Sequence, residues 1–245
     1  MTERIGFYER VLSELVEAGH VQRDFRVLVV AGGAVDREAF AACGFTDVTF
    51  TNLSGEGDER QDAEALTYDD DSFDFAVISA GLHHCASPHR ALLELYRVAR
   101  RGLLALEARD SVLMRVAQRF GVVDEYELTA VADNDFAAGG VRNSPVPNYV
   151  YRWTEREVEK TIASAQPQRR HRFVWFRELE LPVSVLELGG KGAWRFAAAP
   201  LRLVTKVFPR QANLFAFAVF REGLQPWMRD ASTPDVGAIR SRLGQ

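Results

Sequence analysis

At 245 residues the chain has the length of one α/β domain with a modest addition, and its 47% hydrophobic and 26% charged residues are ordinary for a globular protein. A net charge of −4 argues against a dedicated nucleic-acid binder, and two cysteines, Cys43 and Cys85, form neither a disulfide framework nor a clustered zinc spacing. Without a membrane-length apolar run, a signal-like apolar core or a repeat, the expectation is a cytoplasmic protein with no stable membrane insertion.

Residues 4–19 read as an amphipathic helix, with Ile5, Tyr8, Val11, Leu12, Leu15 and Val16 on one stripe. It either packs on a sheet or closes over a ligand. Residues 26–31 (RVLVVA) form a buried strand, Gly32-Gly33 a turn, and residues 36–43 a helix. A glycine turn at that place lets a ligand approach the backbone at the carboxyl edge of a parallel sheet. Residues 47–53 alternate as a strand does. Only about ten residues then separate Asn52 from Asp62, too few for another helix and strand, so a loop and a trimmed sheet edge are expected.

The stretch from Gln61 to Arg109 is the most informative. Residues 73–79 (FDFAVIS) are an apolar run of the kind buried parallel strands show. A loop carrying His83, His84 and Cys85 follows. Ser87 and Pro88 then open a helix whose apolar stripe is Ala91, Leu92, Leu95, Tyr96 and Val98, and residues 102–107 return as a strand ending in Glu107. Strand, loop, helix and strand make a right-handed parallel crossover.

Residues 110–120 look helical. Residues 121–152 are rich in turn formers, with Arg142, Asn143, Asn148, Tyr149 and Tyr151 crowded together; an ordered lid and a plain structural loop both fit. Thr154 and Glu157 start a helix to about Ser164 as a capping box. Residues 172–181 and 213–220 are the last two strands. Between them, 185–211 reads as a basic amphipathic helical insert with Lys191, Arg195, Arg202 and Lys206, which covers the sheet or meets an anionic surface. The tail after Pro226 has little periodicity and is expected to be mobile.

The succession DAEAL, DDSFDFAVIS, GLHH, a helix ending ELYRVAR and an apolar strand resembles the central part of class I S-adenosyl-L-methionine (SAM) dependent methyltransferases, most of all the UbiE-like small-molecule branch. The resemblance covers roughly residues 22–110, with an echo at Tyr151-Arg152-Trp153-Thr154. It implies a Rossmann-like α/β fold, a mainly parallel sheet of seven-stranded type with room for one strand fewer, helices on both faces and a final antiparallel strand. It also implies one domain over 1–245, with a SAM-binding core at 22–110, an acceptor lid at 111–152 and the insert at 185–211.

The resemblance further implies a cofactor site. Ala31, Gly32 and Gly33 would hold the amino-acid portion of SAM. This turn is degenerate: Val29 stands where the family carries an acid, and Asp36 is the candidate replacement for the ammonium. Asn52 stands where the family has its ribose-binding acid, with Glu56 or Asp58 as further candidates. Asp62 and Ala63 match the adenine segment, although Asp62 also reads as a cap, and Ser79 ends the adjoining strand.

For chemistry, a neutral imidazole can accept a hydroxyl proton near neutral pH, so His83 and His84 are candidate bases, not separable from each other, for O-methylation of a small molecule, sugar or glycan. They also read as packing residues. Glu107, Arg109, Arg142, Asn143, Asn148, Tyr149 and Tyr151 are the acceptor-side candidates. No metal is expected, because adjacent histidines rarely point at one ion, although His83, His84, Cys85 and His89 are dense and Glu107 and Asp110 are oxygen donors. The rival reading is a methyltransferase fold that has lost transfer and serves as a binding or partner module. The oligomeric state stays open.

Overall fold

The structure is a computed structural model that describes residues 2–54, 59–180 and 200–244. Seven strands form one sheet in the order β3-β2-β1-β4-β5-β7-β6. They are β1 (Arg26–Val30), β2 (Asp47–Asn52), β3 (Glu59–Arg60), β4 (Phe73–Ser79), β5 (Ala99–Ala108), β6 (Arg169–Glu178) and β7 (Leu214–Leu224). The run from β3 to β5 is parallel, and β7 is antiparallel to both β5 and β6. The order reverses beside β1, where open α/β sheets place their ligands.

Strand periodicity of two sends alternate residues to two cores. Leu28 and Val30, Ala76 and Ile78, Leu103 and Ala105, and Phe215 and Phe217 face one side. Val27 and Val29, Phe75 and Val77, Leu104 and Leu106, and Ala216 and Ala218 face the other. Helices cover both. On the second face lie α1 (Thr2–Glu17), through buried Tyr8, Val11, Leu12 and Leu15, and α2 (Ala34–Ala42), through Ala39 and Phe40. On the first lie α3 (Pro88–Val98) and α6 (Glu155–Ala165), with Trp153 completely buried beside them. Each such apolar side chain contributes about 1.5–3 kcal/mol by leaving water. The stripe on α1 is therefore a packing face that fastens this helix over β1.

Several expectations need correction. The sheet edge keeps its seventh strand: β3 has two residues, pairing Glu59 with Thr51 and Arg60 with Asn52. So short a strand carries no periodicity to read. The helix expected through Arg100 stops at Val98, and β5 begins at Ala99 because it pairs with Phe73 at the start of β4. The 121–152 stretch is not all loop but holds α5 (Leu128–Ala132) and a 3-10 turn at Val141–Asn143, after α4 (Val112–Arg119). Residues 200–207 are helical (α7), while the rest of the insert, 181–199, lies outside the described residues, as do Glu56 and Asp58. The tail is ordered into a Met228–Pro234 bridge and α8 (Val236–Leu243), whose start is fixed by the Asp235 carboxylate accepting from Ala238 N–H at 3.0 Å. No helix among the described residues is long and apolar enough to cross a membrane.

Candidate active site

The carboxyl ends of β1, β2 and β4 meet through their turns. Gly32 N–H donates to Thr51 O at 2.9 Å, Asn52 Nδ2 approaches Gly32 O at 3.4 Å, and Gln61 N–H donates to Asn52 O at 3.2 Å. A Cβ on Gly81 would meet Ile78 at 2.8 Å and the Ala31 methyl at 3.0 Å, so the loop after β4 is seated on the turn after β1. Both strands end in an alanine in the left-handed region, Ala31 at φ 55° and Ala80 at φ 49°. Outside glycine that conformation costs about 1–2 kcal/mol. Strain of this kind clusters at functional sites.

Each cofactor-side residue has a structural tie. Asp36 is buried; its Oδ2 accepts from Gly33 N–H at 2.8 Å, and burial pushes its pKa up. The Tyr8 hydroxyl of α1 is its buried neighbour, and the facing carboxylate, after burial, helps push the Tyr8 pKa up. Asn52 Oδ1 accepts from Ser54 N–H at 3.0 Å. Asp62 Oδ1 accepts from Glu64 N–H at 2.9 Å, as in an Asx turn. Ala63 is half-buried against the first core, and Ser79 is half-buried at the end of β4. The segment 62–64 continues from β3, which places it on the same edge as the turn.

The two histidines lie on a 3-10 turn, Leu82–His84, and their rings are 4.5 Å apart. The Glu107 carboxylate, at the end of β5, holds this turn from below. Its Oε1 accepts from Leu82 N–H at 2.7 Å and its Oε2 sits 2.8 Å from His83 Nδ1. The far nitrogen, Nε2, is 3.4 Å from Glu127 Oε2, and His84 Nε2 is 3.4 Å from that same oxygen. Burial alone would lower the His83 pKa, but the charge and hydrogen bond of Glu107, then those of Glu127, outweigh it and push it up to about 10. His84 moves the other way, through its own burial and the charge on His83. The histidines are therefore distinguishable: His83 is an imidazolium clasped between two carboxylates and His84 is the neutral ring. Burial first, then the nearby carboxylates, push the Cys85 thiol up to about 12, so it stays protonated.

The 121–152 segment closes on this loop. Asn148 is fully buried, and its Nδ2 donates to Glu127 Oε2 at 2.7 Å, while Glu127 N–H donates to Asn148 O at 2.9 Å. Arg142 ion-pairs with buried Glu64, the residue after Ala63, so the segment is also tied to the 62–64 stretch. Burial raises the Glu64 pKa, but Arg142 and the Ser87 and Ala86 amides outweigh it and lower it overall. Asn143 Oδ1 accepts from Gly139 N–H at 3.1 Å, and Tyr149 is exposed, edge-on to Tyr126. Tyr151 bonds Glu157, which also faces His89 Nε2 at 3.1 Å.

The structure joins Glu107 and Asn148 to the histidines but not Arg109. The Arg109 guanidinium is buried, 2.6 Å from Glu155 Oε2, and Arg177 Nη2 takes the other oxygen of that carboxylate at 2.5 Å. A side chain so engaged braces the end of β5 against α6. Glu127 and Glu64 were not singled out from the sequence. Both lie among other acids in polar stretches; the folding of the 121–152 segment onto the loop brings Glu127 to the histidines and Arg142 to Glu64, which also accepts from Ser87 N–H.

Residues 45–106 match the family described as methyltransferase domain. Among solved structures the chain is similar to the YcgJ protein of Bacillus subtilis, at TM-score 0.51 and 15% identity, over 86% of this chain and 97% of that one. It is similar at TM-score 0.51 and 12% identity to magnesium protoporphyrin IX methyltransferase from Synechocystis with bound SAH, over 89% and 84%. A SAM-dependent methyltransferase from Methanosarcina mazei gives TM-score 0.50 and 15% identity, over 86% and 98%. A comparison with curated protein sequences finds no match. By its strand order the chain has the fold of the class I SAM-dependent methyltransferases, its central segment carries the methyltransferase-domain match, and the cofactor these indicate is SAM. The residues present fit that group in kind. Beside the glycine turn, the buried Asp36 carboxylate is the acid that an ammonium would meet; its Oδ2 accepts from Gly33 N–H and its side chain also faces the Tyr8 hydroxyl.

Proposed function

We propose that this protein transfers the methyl group of SAM to a hydroxyl oxygen of a small, polyhydroxylated acceptor such as a sugar or glycan, in the cytoplasm. SAM supplies an electrophilic methyl on a sulfonium. Asp36 would hold its ammonium, Asn52 its ribose and the 62–63 segment its adenine. The acceptor would lie against the loop after β4, bounded by Asn148, Tyr149 and Tyr151 of the closing segment. His84 is the better placed proton acceptor, since its side chain is 35% exposed against 10% for His83. Imidazolium His83, fixed by Glu107, would keep the loop in register. As the acceptor oxygen bonds to carbon and the carbon–sulfur bond breaks, the hydroxyl proton passes to His84. Holding the reactants in line supplies most of the acceleration.

The observation that carries this reading is the buried Glu107 carboxylate aimed at an imidazole on the ligand-binding edge. The test is calorimetric titration with SAM, followed by detection of SAH formation with a panel of hydroxylated acceptors. SAM binding with acceptor-dependent SAH supports the proposal. A second reading also has an observation behind it: both turn amides, Gly32 and Gly33 N–H, already donate within the protein. That favours a binding module on a methyltransferase fold, and absence of SAM binding would select it.

A further inference from the structure

We propose that His83, His84 and Glu127 form a binding site for a divalent cation of the zinc class. One ligand atom from each of the three lies within 4.8 Å of the others. Two of the three edges are 3.4 Å, both to Glu127 Oε2. That is long for a hydrogen bond, whereas a tetrahedron with metal bonds of about 2.0–2.1 Å has edges of about 3.3–3.4 Å. Two imidazoles and one carboxylate are a donor set suited to zinc, leaving one position open for water or an acceptor oxygen.

The surroundings of the three ligands carry the argument further. A metal-ligating histidine donates its other ring N–H to a carboxylate or a backbone carbonyl, which fixes the ring and its tautomer. His83 does this at Nδ1, 2.8 Å from fully buried Glu107. The third ligand is held as well, by Asn148 Nδ2 at 2.7 Å from Glu127 Oε2. Two of the three ligands thus have their own outer support, which packing side chains on a loop do not need. Adjacent histidines serve one ion here because the 3-10 turn tilts both rings toward Glu127. A bound ion would pin the 121–152 segment to the loop after β4. The ion would displace the proton from His83 Nε2 to solvent, leaving Nδ1–H on Glu107; ligation and proton acceptance exclude each other at His84, so the loaded and transferring forms are alternative states.

Binding is read on the full chain alone, with neither SAM nor acceptor, so its outcome is separate from that of methyl transfer. Chelator-treated protein is titrated with zinc chloride by calorimetry and with cobalt chloride by visible absorption. The expected result is one ion per chain, intense visible bands of tetrahedral cobalt, and affinity at least about 10–100-fold weaker in Glu127→Gln and in His84→Ala. The variant His20→Ala, on the far face against Phe220, should bind as the parent does. No stoichiometric binding, the weak spectrum of an octahedral ion, or affinity unchanged in both ligand variants would overturn the proposal. The cobalt spectrum of the unaltered protein needs no variant to fold.

Discussion

The Nδ1 of His83 lies 2.8 Å from Oε2 of Glu107, whose side chain is fully buried, and the other oxygen of that carboxylate holds Leu82 N–H at 2.7 Å. One acid at the end of β5 thus positions the whole loop after β4. Glu107→Gln keeps an oxygen for one of the two donors, sets an amide NH2 against the other and loses the charge assistance, and is expected to cost about 1–3 kcal/mol of stability. Glu107→Ala strands both donors and should cost more, about 3–5 kcal/mol, because it leaves a buried charge unpaired. Urea denaturation of the two variants checks the order; equal losses would mean that the charge carries the whole effect and the remaining amide acceptor adds nothing.

Ala31 offers a gain instead of a loss. It sits at φ 55°, in the left-handed region that favours glycine. Ala31→Gly relieves about 1–2 kcal/mol of left-handed strain and gives back about 0.5–1 kcal/mol in unfolded-chain entropy. A net stabilisation of about 1 kcal/mol is expected, visible as a higher midpoint in thermal unfolding. A lower midpoint would mean that the Ala31 methyl, packed against Gly81, is worth more than the strain.

How much of this was legible follows from which signals are local. The β4–loop–α3–β5 crossover could be read because its strands are buried on both faces and so run continuously apolar, and because Ser87-Pro88 marks a helix start. The edge strand β3 could not, since two exposed residues have no pattern. Neither could α8, whose VGAIRSRL lacks an apolar stripe and is begun by a cap at Asp235. In the site, His83 and His84 stood out as chemistry at a strand end. Their difference did not, because it depends on Glu107 reaching one ring and on Glu127 arriving from a distant segment. The ion pair of Arg109 was hidden for the same reason: its partner, Glu155, is 46 positions away.

The cofactor contacts can be separated from turn formation. Asp62 closes an Asx turn through one oxygen, and adenine would take the other. Asp62→Asn preserves the turn and loses the charge, whereas Asp62→Ala loses both. SAM affinity should fall by about 1–3 kcal/mol in the alanine variant and by less in the asparagine one. Asn52→Asp should leave binding intact or strengthen it through charged contacts to the ribose. If calorimetry finds SAM affinity unchanged in Asp62→Ala, that residue is a turn former only.

Glu155 gives a pH signature. Burial raises its pKa, but Arg109, its own backbone and Arg177 bring it down to about 2. A depressed carboxylate contributes stability that is complete above its unfolded pKa and is lost as pH falls toward the folded one. The window is therefore from about pH 4.5 down to about pH 2. Stability of the parent protein should decline through that window more steeply than that of Glu155→Gln. Near neutral pH that variant should be weaker by about 3–5 kcal/mol, because two arginines are left without their anion. Parallel pH profiles for the two proteins would remove Glu155 from the account of acid stability.

The last prediction separates a base from a packing residue. If His84 accepts the acceptor's proton, His84→Ala should lower kcat by about 10²–10⁴-fold. SAM affinity should not change, because the cofactor-side residues lie on the turns after β1, β2 and β3. Thermal stability should stay close to that of the parent, since the ring is one-third exposed. His83→Ala should behave differently: it removes a side chain only 10% exposed and leaves Glu107 charged and buried without its partner, so the loss appears first in stability. The His84 variant should also regain rate as pH rises, because more of the acceptor is then ionised without help. Two outcomes would count against the assignment. Full kcat in His84→Ala would leave positioning alone to account for transfer. Lost stability with activity retained per folded molecule would make His84 a packing residue, and the base would have to be sought on the acceptor side, among groups such as Tyr151.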